Sequence, residues 1–236
     1  MYKNKIISVV FPAYNEEENI ANAILDFKKL KIIDEILVID NNSKDKTSKI
    51  AKLKRAKVIK ETKQGYGYAL RRGLKEAKGD LIVLCEPDGT FLAKDLLKLL
   101  KHTDKYDLVM GSRTNMKYIG KKANMKGALR FGNLILAKIM QILYSPKTSL
   151  SDCGCTFRVI NRKSLKLINS KFSVGGSYFL SEFTVLSLLN GLSVIEAPVN
   201  YRQRVGKSKI TGSMMRSVIV GIKMLIIIFT YRIKNV

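Results

Sequence analysis

Residues 34–61 read DEILVIDNNSKDKTSKIAKLKRAKVIKE. Ile36 to Ile39 form an apolar run without alternation, as a strand covered on both faces requires. The run stops at Asp40-Asn41-Asn42-Ser43, residue types that turn a chain and cap a helix. KDKTSKIAKLK then reads as a helix and AKVIKE as a short strand. Strand, helix and strand in so short a stretch make a βαβ unit, whose two strands run parallel.

The alternation extends in both directions. Upstream, IISVVFPAYN is a β-branched run ended near Pro12, and EEENIANAILDFKKLK is a helix acidic at its start and basic at its end, as the helix dipole favours. Downstream, GYGYALRRGLKEAKGD is a glycine turn opening a helix, LIVLCEPDG a fourth strand, AKDLLKLLKH a helix and YDLVMGSR a fifth strand. The expected fold is α/β, a mostly parallel, doubly wound sheet with helices on both faces. After about residue 113 the pattern changes. NMKGALRFGNLILAKIMQILYS reads as a basic amphipathic helix, DCGCTFRVINRKSL as a strand and a helix start, YFLSEFTVLSLLNG as an apolar helix closed by Gly191, and LSVIEAPVNYRQR as a late strand. With no internal repeat or low-complexity linker, residues 1–210 are expected to form one domain and residues 211–236 a basic, apolar tail.

In that tail Ser217 to Tyr231 carries a single charge, Lys223. As a helix it spans ~22 Å, short of the ~30 Å hydrocarbon core of a bilayer. An amphipathic helix lying in a membrane surface is the reading preferred, with a buried terminal helix and a tilted span as alternatives.

The formal net charge is +24, which calls for an anionic partner: nucleic acid, a membrane surface or a phosphorylated substrate. No Asp or Glu lies between Asp107 and Asp152 or after Glu196, and each of these stretches carries eight Lys or Arg. Nucleic acid is disfavoured, because the basic runs lack interleaved aromatics, an RNP-type motif and a zinc module. Cys85, Cys153 and Cys155 form no CxxC pair and read as buried thiols. The one histidine, His102, ends a Leu-rich helical run and reads as a surface residue.

In open parallel sheets ligands bind at the carboxyl ends of the strands. Polar residues gather at those ends here: Pro12-Ala13-Tyr14-Asn15-Glu16, Asp40 to Ser43, Lys63-Gln64-Gly65-Tyr66-Gly67, Glu86-Pro87-Asp88-Gly89-Thr90 and Gly111-Ser112-Arg113. Glu86 and Asp88 are two carboxylates at one strand end. Such a pair repels unless a proton or cation intervenes, and a hard divalent ion takes one or two carboxylates plus substrate phosphates. Half of a Mg²⁺ or Mn²⁺ site at Glu86 and Asp88 is therefore expected, completed by a diphosphate, with Arg113 and Lys63 neutralising the remaining phosphate charge.

VVFPAYNEEENI, VIDNNSKDKT, KQGYGYALRRGLKEAKGD, EPDGTF, MGSR, DCGCTFRVI and YRQRVGKSKIT occur in the order seen in glycosyltransferase family 2. Residues 5 to about 212 most resemble its polyprenol-phosphate (dolichol-phosphate) mannose synthase type. The resemblance implies a GT-A fold, a nucleoside-diphosphate sugar as donor, a divalent metal and inversion at the anomeric carbon. It places Pro12, Tyr14, Glu16 and Asp40 at the nucleoside, with Asn42, Lys63 and Gly65 on the same rim. Glu86, Asp88 and Thr90 match a D-x-D-x-Q metal motif, with Glu for the first Asp and Thr for the Gln. Ser112, Arg113 and Arg130 match the region that binds donor and acceptor phosphates. Asp152 and Arg158 match D-x-x-S-G-F/Y-R, in which Cys155 and Thr156 stand for Ser and Gly. Arg204, Ser208 and Lys209 resemble a late R-x-x-G-x-S-K loop over the donor diphosphate, with Arg204 one residue closer to Gly206. Glu182 matches an acidic helix position, and its plainer reading is a buried partner for a nearby Arg.

The expected catalytic residues are Asp88, Arg113 and Asp152. The expected reaction is hexose transfer from GDP-mannose or UDP-glucose to a polyprenyl phosphate. That acceptor needs no general base, because its second pKa of about 6 leaves it mostly dianionic at neutral pH. The chain is expected at the cytoplasmic side of an anionic membrane, with a separate membrane protein as a possible recipient of the product. Two other readings stay open: transfer to a saccharide hydroxyl with Asp152 as base, and an inactive membrane-bound scaffold.

Overall fold

The computed structural model describes residues 1–125, 127–145, 147–206 and 214–233. The expected alternation is present through β1 (Ile7–Ala13), α1 (Ile20–Lys28), β2 (Glu35–Asp40), α2 (Thr47–Leu53), β3 (Lys57–Lys60), α3 (Tyr66–Glu76), β4 (Leu81–Leu84), α4 (Leu96–Leu100) and β5 (Leu108–Ser112). Then come α5 (Gly127–Tyr144), β6 (Arg158–Asn161), α6 (Arg162–Ile168), α7 (Phe179–Leu189), β7 (Val194–Pro198) and α8 (Met214–Ile233). One sheet has the order β3-β2-β1-β4-β6-β5-β7.

β1 pairs parallel with β2 and β4, β2 with β3, and β5 with β7. β6 runs antiparallel between β4 and β5. The chain leaves β5 at the carboxyl rim and passes through α5 before β6 begins at that same rim, so β6 must descend. The sheet is therefore mostly rather than wholly parallel.

Strand side chains alternate between two cores. Val10, Leu37, Ile39 and Ile82 face α3, α5, α7 and α8, whereas Val9, Phe11, Val38 and Val83 face α1, α2 and α4. Each such side chain contributes about 1.5–3 kcal/mol on full burial. α1 begins at Ile20, after Asn19. The acidic run expected to open that helix therefore precedes it, and Glu16 is buried at the rim. α7 closes as expected, with Gly191 at φ +70°.

The tail helix α8 is docked on one face only. Met224 and Ile228 are buried in the core shared with α5 and α7. Tyr144 of α5 donates its hydroxyl to the Ile228 carbonyl, and the Tyr231 hydroxyl donates to Glu182 of α7 at 2.7 Å. Met215, Val218, Ile219, Ile222, Ile226, Phe229 and Ile233 form an exposed stripe along α8, and Phe131, Ile135 and Ile142 are exposed on neighbouring α5. Among the described residues no helix is long and apolar enough to cross a membrane.

Candidate active site

The strand directions bring the carboxyl ends of β1, β2, β4, β5 and β7 and the start of β6 to one rim. Two adjoining cavities open there, of about 960 and about 550 Å³. The larger is lined by Pro12, Tyr14, Glu16, Asn41, Lys44 and Gly65. The smaller begins at Glu86, Asp88 and Arg113 and continues between α5 and α8, along Leu129, Leu136, Val218 and Met224.

The larger cavity is shaped from behind by packed backbone. Asn41 accepts from the Gly65 amide at 2.8 Å and donates to the Glu61 and Lys63 carbonyls, which ties the end of β2 to the start of α3. Gly65 is required there, because a Cβ would stand 2.4 Å from the Gly175 carbonyl oxygen. Glu182 holds the facing loop by accepting from Ser173 Oγ at 2.6 Å and from the Ser173 and Val174 amides. Its partners are thus backbone amides, a serine and Tyr231, not the arginine expected. Three residues expected to bind the donor, Asp40, Asn42 and Lys63, line neither cavity. Asp40 accepts from the Ser43 amide and Ser48 Oγ, Asn42 donates to the Thr62 carbonyl, and the Lys63 ammonium sits 5.9 Å from the Tyr68 ring centre.

The carboxylate pair stands where the cavities meet. Thr90 donates its amide (3.0 Å) and hydroxyl (2.6 Å) to Oδ1 of Asp88. Oδ2 faces the Arg204 guanidinium at 3.1 Å, and Arg204 also reaches Glu16 at 2.6 Å. Glu86 accepts from the Tyr66 hydroxyl at 3.1 Å, and that hydroxyl also meets Thr156 Oγ1 at 2.5 Å. Burial, then the neighbouring Asp88 charge, pushes the Glu86 carboxyl up to about 7.

Two hard carboxylates at one point, Asp88 paired with an arginine and Glu86 with a raised carboxyl, suit a divalent cation. Among the described residues no group of three or more His, Cys, Asp or Glu could hold a metal. A divalent ion at this point would have Glu86 and Asp88 as its carboxylate ligands, and a diphosphate and water would fill the remaining positions. Among the described residues the buried Arg204 Nε has no hydrogen-bond partner, a donor that would be left for such an anion.

Asp152 is placed differently from the base considered above. It is 0% exposed. It accepts from the Arg113 amide and Nε (both 2.8 Å), from Arg113 Nη2 at 2.9 Å and from Asn133 at 2.7 Å. Burial would raise its carboxyl, but the Arg113 charge and these hydrogen bonds outweigh burial and hold it below its usual value. Its geometry is that of an anchor for Arg113, which stacks 5.2 Å from the Tyr201 ring centre. Glu196 of β7 supports that anchor by accepting from the Ser151 and Asp152 amides.

Arg130 donates to the Thr114 carbonyl at 2.7 Å and buttresses the same segment. Arg158, expected among the donor-binding residues, lines neither cavity. It is 0% exposed and donates to the Cys155 carbonyl at 2.6 and 3.1 Å and to Thr184. It braces the loop before β6, which a motif letter does not reveal. Cys85, Cys153 and Cys155 are free and buried, as expected. Ser208 and Lys209 lie outside the described residues.

The motif reading passed over Tyr66, Asn133 and Tyr201. Tyr66 was visible as an aromatic residue in a glycine turn at the rim. Replacing it by Phe frees Glu86 and Thr156 and should weaken divalent-metal affinity about 10-fold or more, as for other groups that orient a metal ligand. Titration calorimetry with Mn²⁺ in the presence of nucleotide measures this, and unchanged affinity removes Tyr66 from that role.

A mostly parallel GT-A sheet, with a carboxylate pair and arginines at its carboxyl rim, is the architecture of a glycosyltransferase. The chain belongs to glycosyltransferase family 2, whose family description, Glycosyl transferase family 2, matches residues 8–168. It is 30% identical over 211 residues to the low-salt glycan biosynthesis hexosyltransferase Agl6 of Haloferax volcanii, covering 86% of this chain and 49% of that one. The chain thus spans about half the length of that relative. It is 29% identical over 206 residues to a dolichyl-phosphate hexose transferase of the same organism, covering 86% of each. Glucosyl-3-phosphoglycerate synthase from Mycobacterium tuberculosis, solved with Mn²⁺, UDP and glucosyl-3-phosphoglycerate, shares the fold. Its TM-score is 0.71 at 18% identity, over 96% of this chain and 80% of that one.

Proposed function

We propose that this glycosyltransferase transfers a hexose from a nucleoside-diphosphate sugar to a polyprenyl phosphate, with inversion, at the surface of an anionic membrane. The observation that carries this reading is the smaller cavity. It starts at Glu86, Asp88 and Arg113, passes Lys122 and Arg202, and becomes apolar between α5 and α8. An anionic head joined to a hydrocarbon tail has that sequence of chemistry. The dolichyl-phosphate transferase named above supports the acceptor class. A second relative supports it too: the UDP-N-acetylglucosamine–dolichyl-phosphate N-acetylglucosaminyltransferase of Methanococcus voltae, 28% identical over 219 residues.

Pro12, Tyr14 and Glu16 line the nucleoside side, and Arg204 stands beside the diphosphate. Glu86 and Asp88 would hold a divalent cation, which would supply Lewis-acid stabilisation to the departing diphosphate. Arg113, held rigid by Asp152 and Tyr201, presents fixed positive charge to phosphate oxygens. One acceptor phosphate oxygen forms the new bond to the anomeric carbon on the face opposite the diphosphate. The old carbon–oxygen bond breaks, and the nucleoside diphosphate leaves with that electron pair. No proton has to be removed, which suits a site whose Asp152 is fully occupied. A saccharide hydroxyl acceptor would need the base that Asp152 is poorly placed to be.

The test is a screen of GDP-mannose, UDP-glucose and UDP-N-acetylglucosamine, each with Mn²⁺ and either a polyprenyl phosphate or a free sugar. The expected result is transfer of one sugar to the lipid phosphate alone. Transfer to the free sugar only overturns the acceptor, and no transfer with any pair overturns the reading.

A further inference from the structure

Arg204 occupies the place where an incoming cation and an incoming anion would meet. One of its terminal nitrogens lies 3.1 Å from Oδ2 of Asp88 and the other 2.6 Å from Oε1 of Glu16. Oδ1 of Asp88 already accepts two hydrogen bonds from Thr90, so the arginine sits on the oxygen a metal would use. Arg204 lines both cavities, as do Glu86 and Tyr66, and its bridge therefore crosses their junction.

The backbone around Arg204 is fastened. Arg202 donates its amide to the Thr90 carbonyl at 2.8 Å, and Val205 donates to the Asp88 carbonyl at 3.1 Å. Asn19 donates to the Val205 carbonyl. The guanidinium can therefore change partners by side-chain rotation alone. Its buried Nε, without a partner among the described residues, adds a donor that neither carboxylate uses and that a phosphate oxygen can take in a forked contact.

We propose that Arg204 is an exchangeable resident cation. In the free protein it neutralises Asp88 and Glu16, and it moves to the donor's diphosphate when a divalent metal takes Asp88. This inference rests on the donor and metal reading above and adds an order of events to it. A metal arriving alone must displace the arginine from Asp88 and leave it with Glu16 alone, whereas a metal arriving with a diphosphate gives it a new anion in place of Asp88. Metal and nucleotide then each raise the other's affinity by the same factor, and exchange of partners at Arg204 opens the junction between the two cavities.

The experiment follows Mn²⁺ binding to the full chain by the paramagnetic resonance signal of free Mn²⁺, without nucleotide and with saturating GDP or UDP. Wild type should bind Mn²⁺ weakly alone and at least ~10-fold more tightly with the nucleotide it accepts, a coupling of ordinary size. Arg204→Gln should bind Mn²⁺ alone about 10-fold more tightly than wild type and lose most of the coupling. Arg204→Lys keeps the charge but cannot bridge both carboxylates, and should fall between them. Lys117→Gln removes an exposed charge that lines neither cavity and should bind Mn²⁺ as wild type does. Thermal unfolding checks that each variant is folded. Equal or weaker Mn²⁺ binding by folded Arg204→Gln, with the coupling intact, overturns the exchange while leaving the donor site standing. Equal tightening in Lys117→Gln reduces the effect to general electrostatics and also overturns it. Failure of wild type to bind Mn²⁺ with either nucleotide overturns the underlying reading as well.

Discussion

Replacing Asp88 by Asn should leave no more than about a thousandth of the wild-type transfer rate, while the protein stays folded. Asp88 Oδ1 holds the turn through Thr90, and an Asn carbonyl oxygen can keep both of those bonds. The second oxygen, which faces Arg204 at 3.1 Å, becomes an amide that cannot ligate a cation and points two donors at a guanidinium. The local structure therefore changes little and the electrostatics change completely. Fixed charge at a leaving group is worth roughly 3–4 kcal/mol per group, or about 10²–10³ in rate, and loss of the metal removes more than one such interaction. Initial rates at saturating Mn²⁺ and donor, with thermal unfolding as a control, measure this. A folded variant retaining a tenth of the rate excludes Asp88 as a metal ligand.

The first half of the sheet and its polar carboxyl rim were legible in the sequence because local pattern decides them. β-branched runs ending in Pro12, Asp40 and Glu86 give both the strands and their polar ends, and the βαβ rule sets their direction. Chain direction beyond β5 was not legible, since RVIN reads the same up or down a sheet. Arg158 shows the limit of motif letters: its position matches, yet its side chain is enclosed by the Cys155 and Leu180 carbonyls and Thr184. Glu182 was expected to find an arginine and instead meets Tyr231, 49 positions away. Asp152 was considered as a base because composition leaves few late carboxylates, and only the packing shows that Arg113 and Asn133 occupy it. In each case the missing information is a tertiary partner far away in sequence.

Met224, Ile228 and Tyr231 dock the tail as a buried terminal helix would, and its exposed stripe from Met215 to Ile233 is what a membrane-surface helix would require. Because α8 also forms a wall of the smaller cavity, whatever covers its outer face would lie beside the tail of the proposed acceptor. The second half of the chain has a large positive excess, and each basic residue near an anionic bilayer adds about 1 kcal/mol of attraction. A bilayer therefore satisfies both the charge and the apolar stripe, and it is where a polyprenyl phosphate resides.

Ile222→Glu with Ile226→Glu tests that placement and should have the second largest effect. Both side chains are about half exposed, at 51% and 57%, and lie away from Met224 and Ile228, so the docked face of α8 is preserved. Each loses about 1 kcal/mol of remaining apolar burial and gains a carboxylate that anionic lipid repels. Together the losses come to roughly 3 kcal/mol or more, a fall of about 100-fold in partitioning. Sedimentation with phosphatidylglycerol-containing vesicles reads it directly. Transfer to a long-chain polyprenyl phosphate in those vesicles should fall in parallel, while transfer to a short, water-soluble prenyl phosphate should stay near wild type, because Asp88, Arg113 and Arg204 are untouched. Unchanged vesicle binding removes the membrane from this face. Loss of both activities in a folded variant instead makes the outer face of α8 part of the catalytic framework.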